Sequence, residues 1–193
     1  MNAPDAVETA DNGVADREAP RPPLGRAVGA ALAVGALGLV LDQWTKALAT
    51  AQLRQGERVP LLGDLFGLSL AYNPGAAFSL GAGSTWIFTA VGVLASVAVV
   101  VFAVRLRGLR WGLALGMVLG GAVGNLVDRL GNPPAIGQGH VTDFLAYGNL
   151  FIGNVADVFV VLGVGLVCVN LLVPSPRMTD RAKGPAVRDE MDS

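Results

Sequence analysis

The sequence is short of charged residues, cysteine and histidine. Only 15% of its 193 residues are charged, whereas a soluble domain usually carries about 25%. Its one cysteine, Cys168, cannot form an intramolecular disulfide bond. Its one histidine, His140, and the absence of HExxH or paired CxxC motifs argue against a zinc site, so we expect no metal or cofactor. A net charge of −1 gives no basic surface for nucleic acid.

Long apolar runs take the place of the missing charge. Hydrophobic residues make up 52% of the chain and concentrate in four segments, at about 26–50, 84–104, 110–128 and 154–173. A helix that spans a bilayer needs about 20 predominantly apolar residues. The sequence therefore predicts an all-α membrane protein, a four-helix transmembrane bundle formed by a single domain. This domain covers residues 25–173, between disordered cytoplasmic tails at 1–24 and 174–193.

The basic residues predict the orientation of the spans. If both termini are cytoplasmic, ten basic residues lie inside and four outside, and such an excess is typical of cytoplasmic loops. The four outside are Lys46, Arg54, Arg58 and Arg129; the ten inside are Arg17, Arg21, Arg26, Arg105, Arg107, Arg110, Arg177, Arg181, Lys183 and Arg188. A rival interpretation is that the first span is a secretory signal cleaved near Ala49-Thr50-Ala51.

Two patterns predict how the bundle is built. Glycines at a four-residue spacing in the third span (Gly112, Gly116, Gly120 and Gly124) place a stripe on one helix face, where a neighbouring backbone can approach closely. The outer loop 52–80 contains apolar stretches at 59–62 and 65–72, separated by glycine-containing turns. These stretches favour short strands, so we expect a small extracytoplasmic β-sheet lying on the membrane surface.

The conspicuous polar residues all fall at the outer face of this predicted topology. They are Asp42 and Lys46 at the end of the first span, Asn73 before the second, Asn125, Asp128 and Arg129 at the end of the third, Asp143 in the loop before the fourth, and Asn154 and Asp157 at its start. Ionisable residues near hydrocarbon are costly and usually face a bundle interior or a wet cavity. We therefore expect one polar site at the outer leaflet.

Several of these residues also have a purely structural interpretation. Asp42 and Lys46 are spaced i, i+4 and could form a helix salt bridge. The Asp–Arg pair that ends the third span could fix the end of that helix. Asn73, in an Asn-Pro-Gly sequence, could form a turn, and Asn154 could cap the fourth helix or orient a carboxylate.

Asp143 and Asp157 differ because neither has a basic residue nearby in the sequence. Two carboxylates in a low-dielectric site cannot both ionise cheaply, so they share a proton. The ionised member can then activate a water while the protonated member acts as an acid. A Ser79–Lys46 pair is a conceivable alternative nucleophile. The sequence alone does not assign the shared proton, because a coupled pair titrates as a unit.

The polar clusters form five motifs that resemble the bacterial lipoprotein signal peptidase (signal peptidase II) family. They are DQWTK at 42–46, YNPGAAF at 72–78, GNLVDR at 124–129, VTDF at 141–144 and NVAD at 154–157. The chain departs from the common family pattern at Gly153 and Val158, where Phe and Ser are usual. The motifs occur in the family's order, and the resemblance covers the chain from about residue 26 to 173.

The resemblance implies a membrane aspartyl endopeptidase. Its catalytic residues would be Asp143 and Asp157, and its substrate a diacylglyceryl-modified prolipoprotein, cleaved just before the lipidated cysteine. Asn73, Asn125, Arg129 and Asn154 would bind substrate or support the pair, and Asp42, Lys46 and Asp128 would give structural support. We expect a monomer in the bacterial inner membrane, in contact with membrane lipids, with the site facing the periplasm or cell exterior.

Two alternatives remain at this point. In a small proton-coupled transporter, the two aspartates would carry protons. Such a protein usually places its carboxylates near the bilayer midplane and often contains an internal repeat, and neither feature is present in this sequence. A membrane scaffold assembled through the glycine stripe would leave the two isolated carboxylates unexplained.

Overall fold

The computed structural model describes residues 24–75, 85–105 and 108–173. They form four helices and four strands in the order α1 (Leu24–Gln52), β1 (Val59–Leu62), β2 (Phe66–Asn73), α2 (Thr85–Arg105), α3 (Leu109–Gly131), β3 (Val141–Tyr147), β4 (Phe151–Gly153) and α4 (Val155–Leu172). The predicted tails (apart from Leu24), the end of the YNPGAAF motif and Ser79 lie outside the described residues.

All four helices are long and apolar enough to cross a membrane. Their outer faces carry large apolar side chains: on α2, Val91, Leu94 and Val97 are 57, 68 and 56% exposed. Such faces are stable in lipid, because every backbone group of a helix is satisfied internally and the side chains meet hydrocarbon. The predicted four-helix membrane fold is confirmed.

Helix α3 packs against the other three helices, and its glycines permit the closest of these contacts. A Cβ atom at Gly116 would lie 2.7 Å from the carbonyl oxygen of Ala31, and one at Gly120 would lie 2.7 Å from that of Gly35. Both distances are shorter than van der Waals contact, so only glycine allows the α1 and α3 backbones to lie this close. The structural interpretation of the glycine stripe is confirmed.

The sheet is antiparallel, with strand order β1-β2-β3-β4. Strands β1 and β2 lie in the predicted loop, but β3 and β4 were not predicted. Asp143 lies in the connection between the third and fourth helices, but on a strand that the sequence does not indicate. β3 is buried along almost its whole length and so lacks the polar–apolar alternation that marks a half-buried strand. β4 has only three residues, too few to show a period.

The sheet register positions the site. Asp143 on β3 faces Ala71 on β2, and Val141 faces Asn73. Side chains two residues apart on a strand share one face of a sheet, so Asp143 and Asn73 can meet diagonally across the pair. β4 leads directly into α4, which brings the first turn of that helix beside β3.

Candidate active site

A cavity of about 320 Å³ lies between the sheet and the ends of α2, α3 and α4. Polar residues supply one part of its wall and apolar residues the rest. The lining comprises Asn73, Gly75, Phe88, Val91, Gly92, Ala122, Asn125, Leu126, Arg129, Val141, Asp143, Asn154 and Asp157. All the predicted catalytic and substrate-binding residues therefore border a single cavity, although they come from distant parts of the sequence.

Asp143 is the most deeply buried acid of this cavity, with 3% of its surface exposed. Its Oδ2 accepts a hydrogen bond from Asn73 Nδ2 (3.0 Å), and its Oδ1 accepts one from Asn154 Nδ2 (2.7 Å). Burial raises the pKa of Asp143 to about 7, and the charge of Asp157 adds to this rise; the two amide donors and Lys46 oppose it. A carboxyl group of this kind is partly protonated at neutral pH.

Asp157 is only half-buried and lies in the first turn of α4. Its Oδ1 accepts a hydrogen bond from Asn125 Nδ2 (2.9 Å), and its Oδ2 accepts one from the backbone N–H of Asn154 (3.1 Å). Both oxygens of Asp157 accept hydrogen bonds at the positive end of the helix dipole. The two aspartates therefore have unequal surroundings.

Asn154 links the two aspartates and is 1% exposed. Its Oδ1 accepts the backbone N–H of Asp157 (3.0 Å), which completes a capping box at the start of α4. Its Nδ2 donates to Asp143 Oδ1 and, at 3.1 Å, to Asn125 Oδ1. Capping and carboxylate orientation were alternative interpretations of this residue, and the structure shows that it does both.

Arg129 also lines the cavity and has one unused donor. Its Nη2 donates to the carbonyl oxygen of Gly75 (2.9 Å), and its guanidinium lies 5.4 Å from the centre of the Phe88 ring. Within residues 24–75, 85–105 and 108–173, its Nη1 is the one buried side-chain nitrogen or oxygen without a hydrogen-bond partner. A buried donor without a partner is costly, so this atom marks a place where a ligand oxygen fits.

Comparison with known proteins agrees with this geometry. Residues 34–173 match the family model described as signal peptidase (SPase) II. The chain belongs to the signal peptidase II family. It is 50% identical over 137 residues to the lipoprotein signal peptidase of Leifsonia xyli subsp. xyli (strain CTCB07), covering 70% of this chain but only 63% of that protein. It is 47% identical over 135 residues to the lipoprotein signal peptidase of Rhodococcus jostii (strain RHA1), covering 70% and 68%.

A solved structure supports the same fold. It is a bacterial membrane enzyme determined by the in meso method at 2.3 Å resolution, with a TM-score of 0.69. The superposition covers 83% of this chain and 96% of the solved one at 24% sequence identity. The four-helix architecture with its small sheet is therefore shared at low sequence identity.

One departure from the common signal peptidase II pattern lies beside the cavity. A Cβ atom at Gly153 would lie 3.0 Å from Asp157 Oδ2 and 3.5 Å from the Phe151 ring. A side chain at this position would force the Asp157 carboxylate to shift by a few tenths of an ångström, so glycine leaves Asp157 more room. Val158, the second departure, follows Asp157 on the partly lipid-exposed face of α4 and is 36% exposed.

The three residues that the signal peptidase II resemblance assigns to structural support form one buried cluster. The Asp42–Lys46 helix salt bridge is present (2.7 Å), but Lys46 Nζ also lies 3.0 Å from Asp128 Oδ2 and 3.0 Å from Asn125 Oδ1. All three N–H bonds of the Lys46 ammonium group therefore have acceptors within the cluster and Asn125.

Sequence reasoning missed Gln43, which joins the same cluster. Its Nε2 lies 3.1 Å from Asp128 Oδ1, 3.1 Å from the Gly124 carbonyl oxygen and 3.2 Å from Asp42 Oδ2. The available signal was a second polar residue directly after Asp42 in an otherwise apolar helix.

Among the residues that the structure describes, no group of three or more His, Cys, Asp or Glu side chains is placed to hold a metal ion.

Proposed function

We propose that this chain removes the signal peptide from diacylglyceryl-modified prolipoproteins by cleaving the bond before the lipidated cysteine. One observation carries this proposal: Asp143 and Asp157 line the same cavity of a signal peptidase II family member. Their surroundings differ, and Asn154 contacts both of them. An aspartic peptidase needs such a pair. The family match gives no support to the transporter alternative.

The two aspartates divide the chemistry between them. Asp157, which accepts two hydrogen bonds at a helix N-terminus, acts as the base that takes a proton from water. The resulting hydroxide attacks the carbonyl carbon of the scissile bond. Asp143, whose buried carboxyl group retains a proton near neutral pH, donates that proton to the carbonyl oxygen. Collapse of the tetrahedral intermediate then breaks the C–N bond: Asp157 passes its proton to the departing amine, and the hydroxyl proton returns to Asp143 as the new carboxyl group forms.

The shape of the cavity fits a substrate that is anchored by lipid. Phe88, Val91 and Leu126 give it an apolar wall, and Val91 is 57% exposed on the outside of the bundle. The acyl chains can therefore remain in the bilayer beside α2 while the scissile peptide enters the polar half of the cavity. Each acyl CH₂ group buried in lipid contributes about 0.8 kcal/mol to anchoring, so the peptide itself needs few contacts. Small side chains suit a cavity of this volume.

The membrane placement is also a proposal. The ten-to-four bias of basic residues supports cytoplasmic termini and a cavity that opens to the periplasm or cell exterior of a bacterial inner membrane. That is where the acyl chains of a translocated prolipoprotein lie. We further propose that the chain acts as a monomer, because both aspartates and the side chains that donate to them (Asn73, Asn125 and Asn154) already meet within a single chain.

The direct test is cleavage of a diacylglyceryl-modified prolipoprotein peptide by the purified protein in detergent. The product should begin with the lipidated cysteine, as shown by mass spectrometry. The same peptide without its diacylglyceryl group is the matched control and should be cut far less efficiently. Equal cleavage of both peptides would contradict recognition of the lipid, and no cleavage of either would overturn the proposed function.

The raised pKa of Asp143 predicts the alkaline limb of the pH profile. Asp143 binds its proton below about pH 7 and loses it above, so kcat/KM is expected to fall as the pH rises through 7, approaching tenfold per pH unit. The hydrogen bond from Asn73 lowers the pKa of Asp143. The Asn73→Ala variant should therefore shift this limb to higher pH.

Profiles of kcat/KM between about pH 5 and pH 9 check this prediction. Asn149→Ala is the matched control, because Asn149 is exposed and lies outside the cavity. Its alkaline limb should coincide with that of the wild type. If the Asn73→Ala limb also coincides with it, Asp143 is not the acid of the reaction.

The unpaired Nη1 of Arg129 predicts a contact with a substrate oxygen. Lysine keeps the charge but cannot donate both to Gly75 and to a substrate in the fixed geometry of a guanidinium. Arg129→Lys should lower kcat/KM by about ten- to one-hundred-fold, as expected for one lost hydrogen bond to a charged group. Arg105→Lys, at the far end of α2, serves as the control. An unchanged kcat/KM in Arg129→Lys would exclude this contact.

A further inference from the structure

Lys46 is a buried cation that does not border the cavity. It is 4% exposed, and its three short contacts go to acceptors on α1 and α3: Asp42 Oδ2, Asp128 Oδ2 and Asn125 Oδ1. An ammonium group has three N–H donors and no acceptor, so these contacts exhaust its hydrogen bonding. Each of the three acceptors also contacts the segment that carries one of the two aspartates.

The first connection runs through Asp42 to α4. While Oδ2 of Asp42 pairs with Lys46, Oδ1 accepts the backbone N–H of Ala156 at 2.9 Å. Ala156 is the residue before Asp157 and is fully buried. The ion pair therefore holds the first turn of α4 against α1 and fixes the position of the backbone that carries Asp157.

The second connection runs through Asp128 to β3. Its Oδ2 contacts Lys46 Nζ at 3.0 Å and accepts the backbone N–H of Thr142 at 2.9 Å. Thr142 is the residue before Asp143. Lys46 is thus linked, through Asp42 and Asp128, to the backbone N–H of the residue before each aspartate. One of these residues lies on a helix and the other on a strand.

The third connection runs through the side chain of Asn125. Its Oδ1 accepts from Lys46 Nζ, so its Nδ2 is directed at Asp157 Oδ1, 2.9 Å away. A free carboxamide could turn by 180° and present its oxygen instead. Because an ammonium can only donate, Lys46 allows one of the two orientations, the one in which Asn125 donates to the Asp157 carboxylate.

We propose that Lys46 is a positioning residue of the peptidase, which fixes the spacing and hydrogen bonding of Asp143 and Asp157 from outside the cavity. This inference rests on the proposed function. Reacting groups displaced by about 1 Å can lose about 100-fold in rate, and three short buried connections restrain such displacement. If Lys46 merely filled space in α1, its substitution would lower the melting temperature but would not lower kcat while leaving KM unchanged.

Lys46→Met tests the proposal in the lipopeptide cleavage assay, because it keeps an unbranched apolar stem and removes the cation. The kcat is expected to fall about 100-fold, while KM changes little because the cavity lining is intact. Arg54→Met is the matched control: it removes an exposed cation from the loop just after α1 and should leave kcat unchanged. A Lys46→Met protein with kcat within about threefold of wild type would overturn the proposal.

Lys46→Arg tests the positioning role if the Lys46→Met variant does not fold. Arginine keeps the charge that Asp42 and Asp128 need, but its planar fork cannot direct three donors from one atom. We expect a folded protein with near-normal KM and kcat reduced about tenfold or more. Wild-type kcat would show that any cation suffices and would overturn the positioning role.

A double-mutant cycle tests the Asn125 connection separately. If Lys46 acts partly through Asn125, combining Lys46→Met with Asn125→Ala should lower kcat by less than the product of the two single losses. Multiplicative losses would exclude that route. Failure of the wild-type protein to cut the lipopeptide would overturn the proposed function as well, whereas normal cleavage by wild type and by both Lys46 variants would overturn the positioning role alone.

Discussion

Asp143→Asn and Asp157→Asn are each expected to lower kcat for lipopeptide cleavage by about 100- to 10,000-fold, the usual contribution of general acid–base catalysis. Asparagine has almost the shape of aspartate but cannot take up or release a proton. Asp143→Asn removes the proposed acid, and Asp157→Asn removes the proposed base. The loss should appear in kcat, with binding of the lipid-anchored substrate largely retained.

The surroundings of Asp143 predict an additional effect. Both of its oxygens accept hydrogen bonds from side-chain NH₂ groups, those of Asn73 and Asn154. An asparagine at position 143 would turn its own NH₂ group toward one of these donors and leave it without an acceptor, at a cost of about 1–3 kcal/mol. Melting temperatures measured alongside kcat separate this modest loss of stability from the loss of chemistry.

Asp64→Asn is the matched control for both variants. Asp64 is exposed in the turn between β1 and β2, and its substitution should leave kcat and melting temperature unchanged. If either aspartate variant of the pair retained turnover close to that of wild type, the two-aspartate mechanism would be wrong. Loss of activity accompanied by unfolding of the purified variant would instead point to a structural role.

Gly121→Ala is expected to disturb the packing of α3 against α4 and with it the first turn of α4. A Cβ atom at Gly121 would overlap the carbonyl oxygen of Ala156 and lie 2.7 Å from Val160 Cγ2. Overpacking of a well-packed interface typically costs about 1–3 kcal/mol, and here the crowded atom is backbone that cannot rotate away. Helix α4 must shift, and its first turn carries Asp157.

The Gly121→Ala variant should therefore show both a lower melting temperature and a lower kcat. Gly165→Ala on α4 is the control, since no atom lies within 4 Å of a Cβ placed there. Alanine favours helix over glycine by about 1 kcal/mol, so this control should be neutral or slightly stabilising. Equal melting temperatures for the two variants would contradict the packing described for α3 and α4.

The helices and the polar residues of the site could be predicted because their signals are local. An apolar run of about 20 residues specifies a membrane helix wherever it occurs, and the four-residue glycine spacing in α3 specifies a close-packed face. The strands β1 and β2 follow from short apolar stretches between turns. In each case the pattern and the structure that it predicts lie in the same stretch of chain.

The part of the site that could not be predicted depends on contacts between distant residues. β3 was interpreted as a loop because a strand buried on both faces shows no alternation. The hydrogen bond from Lys46 to Asn125 joins residues 79 positions apart, and that from Ala156 to Asp42 joins residues 114 positions apart. No local pattern marks such pairs, so the links from Lys46 to the segments that carry the two aspartates could not be predicted.

The sequence by itself determined that this protein lies in a membrane with four helices and which family it resembles, and it predicted that its chemistry depends on carboxylates. These properties follow from composition, hydrophobic period and short motifs. Only the tertiary structure decided that Asp143 lies on a strand, that its burial raises its pKa to about 7, and that Lys46 is linked to both aspartates. Burial and hydrogen-bond partners arise when distant segments pack together, and they set the unequal surroundings of two chemically identical side chains.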